Sequence, residues 1–204
     1  MVLEVITGPM FSGKSEELIK NIRTYQIASK KIQVFKHGFD KRYSKECLSS
    51  HNENMIEAII ALSTADIRNA LKEDTEVVAI DEVQFFDDAI IELCNDLADR
   101  GVHVIVTGLN LNYRGKPFKF ANSEKTMADL IVYADKITKL SAVCTYRESG
   151  KICGRPATRT QRKVDDRDPH ADNEVLVGGA ESYEARCRYH HKPMTGQKKL
   201  NNKN

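Results

Sequence analysis

Between Leu3 and Leu140, short apolar runs alternate with stretches in which apolar residues return every three or four positions. The short runs suit buried strands and the longer period suits helices laid over them, so the pattern predicts an α/β domain with a largely parallel sheet. Strands are predicted at 3–7, 32–36, 76–80, 102–107 and 136–140. The segment 13–29 carries Leu18, Ile22 and Tyr25 on one helical face. Asp87 is placed as the N-cap of a second helix bearing Ile90, Leu93 and Leu97, which Gly101 ends. Ser63 or Thr64 caps a third helix running to about Leu71.

From Ser141 the helical period fades, and cysteines, arginines, glycines and short β-type runs replace it. That change of texture predicts two units, 1–140 and 141–193, the second a small metal-stapled module. The remainder, 194–204, is polar with nothing to bury and is expected to be disordered. The stretch 37–54 reads as a long polar loop, and 119–126 has no clear period.

The composition removes some classes of function. With 31 basic and 29 acidic residues the net charge is +2, which does not suggest a nucleic-acid binder. No apolar run is long enough to span a membrane, and the opening MVLEVITG enters a strand without a basic leader, so a cytoplasmic protein is expected. Five cysteines, an odd number, argue against a disulfide framework.

Two motifs carry chemistry. Gly8-Pro9-Met10-Phe11-Ser12-Gly13-Lys14-Ser15 fits G-x-x-x-x-G-K-[ST], with a predicted strand before it and a helix after it. Glycines let main-chain N–H groups approach phosphates, and the helix N-terminus adds positive potential. In such a loop Lys14 reaches the β- and γ-phosphates and the Ser15 hydroxyl meets Mg²⁺. The run Val77-Val78-Ala79-Ile80 then ends in Asp81 and Glu82. An acid at such a strand end holds Mg²⁺, which assigns Asp81 and leaves Glu82 as the candidate base for a hydroxyl nucleophile. The plainer reading is that both acids cap the following helix.

Near the C-terminus, Cys187-Arg-Tyr-His190 has the gap of a zinc knuckle, with His191 as a rival ligand. Cys144 and Cys153 make the other half of a four-ligand structural site. The intervening TYRESGKI is longer than a knuckle needs, and the competing reading is that one of the two is a buried thiol.

GPMFSGKS, DEVQFF, GLNLNYRGKPF, PATRTQR and VGGAESYEARCRYHH occur in that order between about Glu4 and His191. Together they resemble the cellular-type, zinc-containing (type II) thymidine kinases. The resemblance implies a RecA-like phosphate-loop NTPase sheet with a C-terminal zinc-binding lasso. It implies an ATP site at Gly8, Pro9, Met10, Phe11, Ser12, Gly13, Lys14 and Ser15 with Asp81, Glu82, Val83 and Gln84. Glu82 matches the general base, Ser15, Asp81 and Asp40 the Mg²⁺ positions, and Arg42 a residue near the transferred phosphate. Met10, Phe85, Leu109, Tyr113, Phe118 and Thr160 match the walls of a nucleoside pocket, and Val177, Gly178, Gly179 and Tyr183 match the covering loop. Cys144, Cys153, Cys187 and His190 match the zinc ligands, with TYRESGKI holding a six-residue insertion. Asn110, Asn112 and Tyr113 depart from the usual Asp, Asp and Phe.

The implied reaction is transfer of the γ-phosphate of ATP to the 5′-hydroxyl of thymidine, and of deoxyuridine, in pyrimidine salvage. A homotetramer inhibited by thymidine triphosphate is implied as well, with no nucleic-acid or membrane partner. The alternatives are a phosphate-loop ATPase or switch with a zinc interaction module, and a regulatory zinc protein with a decayed site. Intact Lys14, Ser15, Asp81 and Glu82 speak against the last.

Overall fold

A computed structural model of the chain describes residues 2–38, 47–49, 55–163 and 180–193. Five of its six sheet strands fall within a residue or so of their predicted positions: β1 (Leu3–Thr7), β2 (Ile32–His37), β6 (Val77–Asp81), β7 (His103–Gly108) and β8 (Lys136–Lys139). The sixth, β5 (Ile59–Ala61), is too short to stand out in the sequence. Strands run in the order β5-β2-β6-β7-β1-β8, and every neighbouring pair is parallel. This is the expected α/β architecture. β7 lies between the strand that leads into the phosphate loop and the strand that ends in the acid pair, so its own C-terminal end touches both.

Alternate residues along the central strands feed two apolar layers, as the period of a strand requires. Ile6, Ala79 and Ile105 join Leu18, Ile19 and Ile22 of α1 (Lys14–Ile27) on one face. Val5, Val78, Ile80, Val104 and Val106 meet the other helices on the opposite face. There Ile67 comes from α2 (Thr64–Ala70), Ile90, Leu93 and Leu97 from α3 (Ala89–Asp99), and Leu130 from α4 (Met127–Val132).

The helix ends refine the prediction. Ser63, not Thr64, caps α2, in a reciprocal capping box with Asp66. Asp88 occupies the position before α3 but its side chain makes no capping bond there, and the carboxylate that caps the helix start is that of Asp87. Asp87 accepts the Ala89 N–H at 3.2 Å and also the Thr64 N–H at 2.9 Å, tying α2 to α3. Gly101 follows the helix at φ 88°, where an L side chain is strained. Inside the expected polar loop, β3 (Cys47–Ser49) pairs antiparallel with β4 (Met55–Glu57), which follows the loop's predicted end. The 119–126 stretch is a tight loop closed by Phe120 N–H to Lys125 O at 3.0 Å and Met127 N–H to Phe118 O at 2.8 Å.

Beyond β8 the strands shorten. β9 (Ala142–Val143) pairs with β12 (Pro156–Ala157), β10 (Arg147–Glu148) with β11 (Lys151–Ile152), and β13 (Arg159–Arg162) with β14 (Tyr183–Arg186). The core here is Ala142, Cys144, Ala157, Ala185 and Cys187. Three alanines and two thiols make a small apolar core, the kind that small segments supplement with a staple or with contacts to a larger body.

The capping box makes the first prediction. Ser63→Ala should destabilise the chain by about 1 kcal/mol, read as a lowered midpoint in urea unfolding, whereas Thr64→Ser should leave the α2 cap intact.

Candidate active site and metal centre

The loop after β1 is shaped by two glycines for different reasons. A Cβ on Gly8 would lie 2.7 Å from both the Leu140 carbonyl oxygen and Ser12 Oγ, so only glycine fits. Gly13 sits at φ 79° as the N-cap of α1, turning its first N–H groups back over the loop. Ser12 Oγ donates to Pro9 O at 2.8 Å and Lys14 Nζ to the same carbonyl at 2.9 Å. Phe11 is at φ 64° and partly exposed.

Lys14 is buried, and that desolvation lowers its pKa against the opposing pull of Glu82, Asp81 and Glu16. Asp81, also buried, receives the Ser15 hydroxyl at 3.3 Å on Oδ2. The Thr107 hydroxyl donates to its Oδ1. Burial first, and the neighbouring charge of Glu82 second, raise the Asp81 pKa to about 6, while the Thr107 bond, Lys14 and Lys36 act the other way. Lys36 is a buried cation that faces Asp81 in the β2–β6 register. Neither Thr107 nor Lys36 is singled out by the sequence. Their place depends on strand order, which no local pattern encodes.

Glu82 leaves β6 at φ 55°, a left-handed conformation unusual for its residue type, and opens a 3₁₀ turn over Val83–Phe85. Val83 is in the core, and Gln84 is buried with its side chain bonded to Glu82 and to the Leu109 N–H. The acid pair does not cap α3, which begins at Ala89.

Several pocket candidates come together. The Met10 N–H donates to Thr160 Oγ1 at 3.0 Å, joining the phosphate loop to β13 across 150 positions. Phe85 and Phe118 meet edge to face with centroids 5.9 Å apart, and Leu109 packs against the same core. His37 lies edge-on to Phe86 at 4.7 Å, and its burial lowers its pKa. Tyr113 is buried, with its hydroxyl accepting from Arg114 Nε at 3.0 Å and Arg162 over its ring. Arg162 pairs with Tyr183 in the β13–β14 register. Asn112 is taken up by its own turn, Oδ1 accepting the N–H groups of Arg114 at 3.0 Å and Lys116 at 3.1 Å. Asp40, Arg42, Val177, Gly178 and Gly179 lie outside the described residues.

The metal candidates form a compact set. One ligand atom from each of Cys144, Cys153, Cys187 and His190 lies within 4.8 Å of all the others. His190 Nδ1 is 3.5 Å from Cys187 Sγ and 3.7 Å from Cys144 Sγ. His191 Nε2 instead lies 2.9 Å from the Tyr113 carbonyl, so of the two histidines it is His190 that stands with the three thiols. The segment between Cys144 and Cys153 folds on itself as the β10–β11 hairpin, with Ser149 and Gly150 at φ 50° and 80° in a two-residue turn. Cys153 N–H to Tyr146 O at 2.8 Å and Gly154 N–H to Cys144 O at 3.1 Å close its base, so the added residues leave the thiols adjacent. Tyr146 stacks on His190 at 4.1 Å and holds the imidazole plane. Burial would push the Cys187 thiol up, but the His190 N–H and the Cys144 thiol bring it below its ordinary value. Three sulfur donors and one imidazole suit tetrahedral Zn²⁺ with no position left open.

A glycine-shaped loop between strand and helix, with a buried acid one strand removed, defines a phosphate-loop nucleotide-binding α/β protein. A family model described as thymidine kinase matches residues 1–191. A thymidine kinase from Thermococcus kodakarensis is 46% identical over 195 residues, covering 93% of each chain. The chain belongs to the thymidine kinase family. Among solved structures, the Legionella pneumophila ATPase DotB aligns with a TM-score of 0.40 at 17% identity, over 70% of this chain and 41% of that one. Among the described residues no helix is long and apolar enough to cross a membrane.

The Asp81 shift has a definite sign. Its folded value, about 6, exceeds the ordinary 3.8, so the folded state holds the extra proton between them and stability falls as pH rises through that window. Asp81→Asn should therefore stabilise the metal-free protein near pH 8 by at most about 3 kcal/mol, with the gain gone below about pH 4. Urea unfolding in a chelating buffer at the two pH values checks this.

Proposed function

We propose that this chain is an ATP-dependent thymidine kinase, moving the γ-phosphate of ATP to the 5′-hydroxyl of thymidine, with deoxyuridine as a second substrate. The observation that carries the reading is the hydrogen bond from Met10 to Thr160. It sets the phosphate loop against the segment that bears Thr160 and Tyr183 of the nucleoside candidates, and a motor or switch has no need of that junction.

In this reading Lys14 and the loop N–H groups hold the β- and γ-phosphates. The Ser15 hydroxyl and the Asp81 carboxylate are hard oxygen donors 3.3 Å apart, a fit for Mg²⁺, with Asp40 as a further donor. Bound with ATP, the ion would neutralise charge on the phosphate oxygens. Glu82 accepts the proton of the 5′-hydroxyl as that oxygen meets phosphorus. Arg42 offsets charge on the transferred group. Phe85, Leu109, Tyr113 and Phe118 form the apolar walls, Thr160 faces the base, and Val177, Gly178, Gly179 and Tyr183 cover it. Val83 and Gln84 complete the acid-pair turn beside the ATP site.

Cys144, Cys153, Cys187 and His190 would hold a structural Zn²⁺ that anchors the covering loop, within a unit spanning 141–193 beside an ATP-binding unit of 1–140. Such thiolates need a reducing compartment, which favours the cytoplasm. A homotetramer with feedback inhibition by thymidine triphosphate belongs to the same reading and rests on family membership.

Two experiments follow. Glu82→Gln should cut kcat at least a hundredfold while ATP binding, followed by titration calorimetry, changes little; near-normal turnover would remove Glu82 from the role of base. Elemental analysis should find one zinc per chain in the wild type and in His191→Ala, and almost none in Cys187→Ser. Equal loss in the two variants would contradict the ligand set.

A further inference from the structure

Gln84 is a buried side chain bonded both to Glu82 of the acid pair and to the Leu109 N–H beyond β7. It is 1% exposed, two residues beyond Glu82 in the 3₁₀ turn. Its Oε1 accepts the Leu109 N–H at 3.1 Å, and its Nε2 donates to Glu82 Oε2 at 2.5 Å. A main-chain N–H can only donate, so the amide oxygen must face Leu109. The NH₂ group must then face the carboxylate. The orientation of this amide thus follows from its partners.

The end of β7 makes room for the amide. A Cβ on Gly108 would lie 2.6 Å from Gln84 Oε1, and 3.0 Å from both Met127 Cε and Val83 Cγ1. β7 therefore ends in a residue without a side chain where the amide passes, and the next residue, Leu109, supplies the anchoring N–H. Glu82 needs such an anchor. Its backbone is at φ 55°, and a carboxylate on a left-handed residue beside Asp81 is repelled by its neighbour.

We propose that Gln84 is a positioning residue, which ties one carboxylate oxygen of Glu82 to the main chain at Leu109 and leaves the other aimed at the nucleoside hydroxyl. The inference rests on the reading of Glu82 as general base. It gives the amide a purpose that core filling does not explain, since a methionine would fill the same volume. It also links the base rigidly to Leu109, a wall of the nucleoside pocket, so that wall and base move together.

The test uses the full chain with Mg-ATP and thymidine. Gln84→Met keeps length and bulk but loses both hydrogen bonds. Gln84→Glu keeps an acceptor for the Leu109 N–H and turns a carboxylate toward Glu82. Both variants should lose kcat by about 10–100-fold, as misplacement of a reacting group does, with KM for ATP and for thymidine within about twofold of wild type. In a Glu82→Gln background, Gln84→Met should cause no further loss, because the two residues act as one unit. A wild-type kcat in both single variants, a loss confined to KM, or an additive loss in the double variant would overturn the proposal. If Glu82→Gln alone keeps turnover, the assignment of the base fails instead, and that outcome is seen before any Gln84 variant is made.

Discussion

The carboxylate of Asp81 is carried to the inner end of β6, where water cannot solvate it, and the surrounding groups are arranged to meet that cost. Ser15, in the first turn of α1, and Thr107, at the end of β7, give it hydroxyl donors, while Lys14 and Lys36 supply buried positive charge. Even so, desolvation keeps its proton affinity above that of a free carboxyl. A charge that the fold does not fully neutralise is suited to a cation arriving with a nucleotide. The strand order places the phosphate loop one strand away, with β7 between them. Thr107, Gly108 and Leu109 at the end of that strand then do three separate things: bond Asp81, make room for Gln84, and hold the amide that holds Glu82.

The small module depends on the main sheet in one direction and on its cysteines in the other. Its interior is small, built of alanines and thiols, and four candidate ligand atoms converge within it. From this stapled base, Thr160 reaches the phosphate loop and His191 reaches the Tyr113 carbonyl. Lys192 is held beside β13, its N–H donating to Gln161 Oε1 at 2.8 Å. The residues flanking the candidate metal ligands therefore bind this segment to the phosphate loop and to the turn that carries Tyr113.

Much of this was legible in the sequence because the signals were local. The central strands are apolar runs bounded by polar residues, the phosphate loop is a contiguous motif in the right context, and Cys187 and His190 are three residues apart. What stayed hidden was set by neighbours distant in the chain. Thr107 reads as the polar end of a strand until β7 is known to lie beside β6. Gln84 reads as one residue of a motif until its amide is seen between Glu82 and Leu109. The short strand β5 and the helix α4 carry too few residues for a period to emerge, although Thr126 and Asp129 form a capping box that spacing alone could have suggested. Asp87 reads as an N-cap for α3 and its carboxylate does meet the first N–H of that helix, but its second bond, to the start of α2, could not be seen locally. The added residues between Cys144 and Cys153 resembled a defect in the metal site, yet the Ser149–Gly150 turn shows them to be a hairpin closed at its base.

The central claim is that the phosphate loop, the acid pair and the pocket beyond Met10 act on one phosphoryl group, which leaves ATP for a nucleoside hydroxyl. The direct measurement follows a label in the γ-phosphate of ATP when the purified chain is given Mg²⁺ and thymidine. The label is predicted to appear in thymidine monophosphate, one for each ADP formed, and to depend on thymidine. Label released as inorganic phosphate at the same rate with and without thymidine would contradict the account.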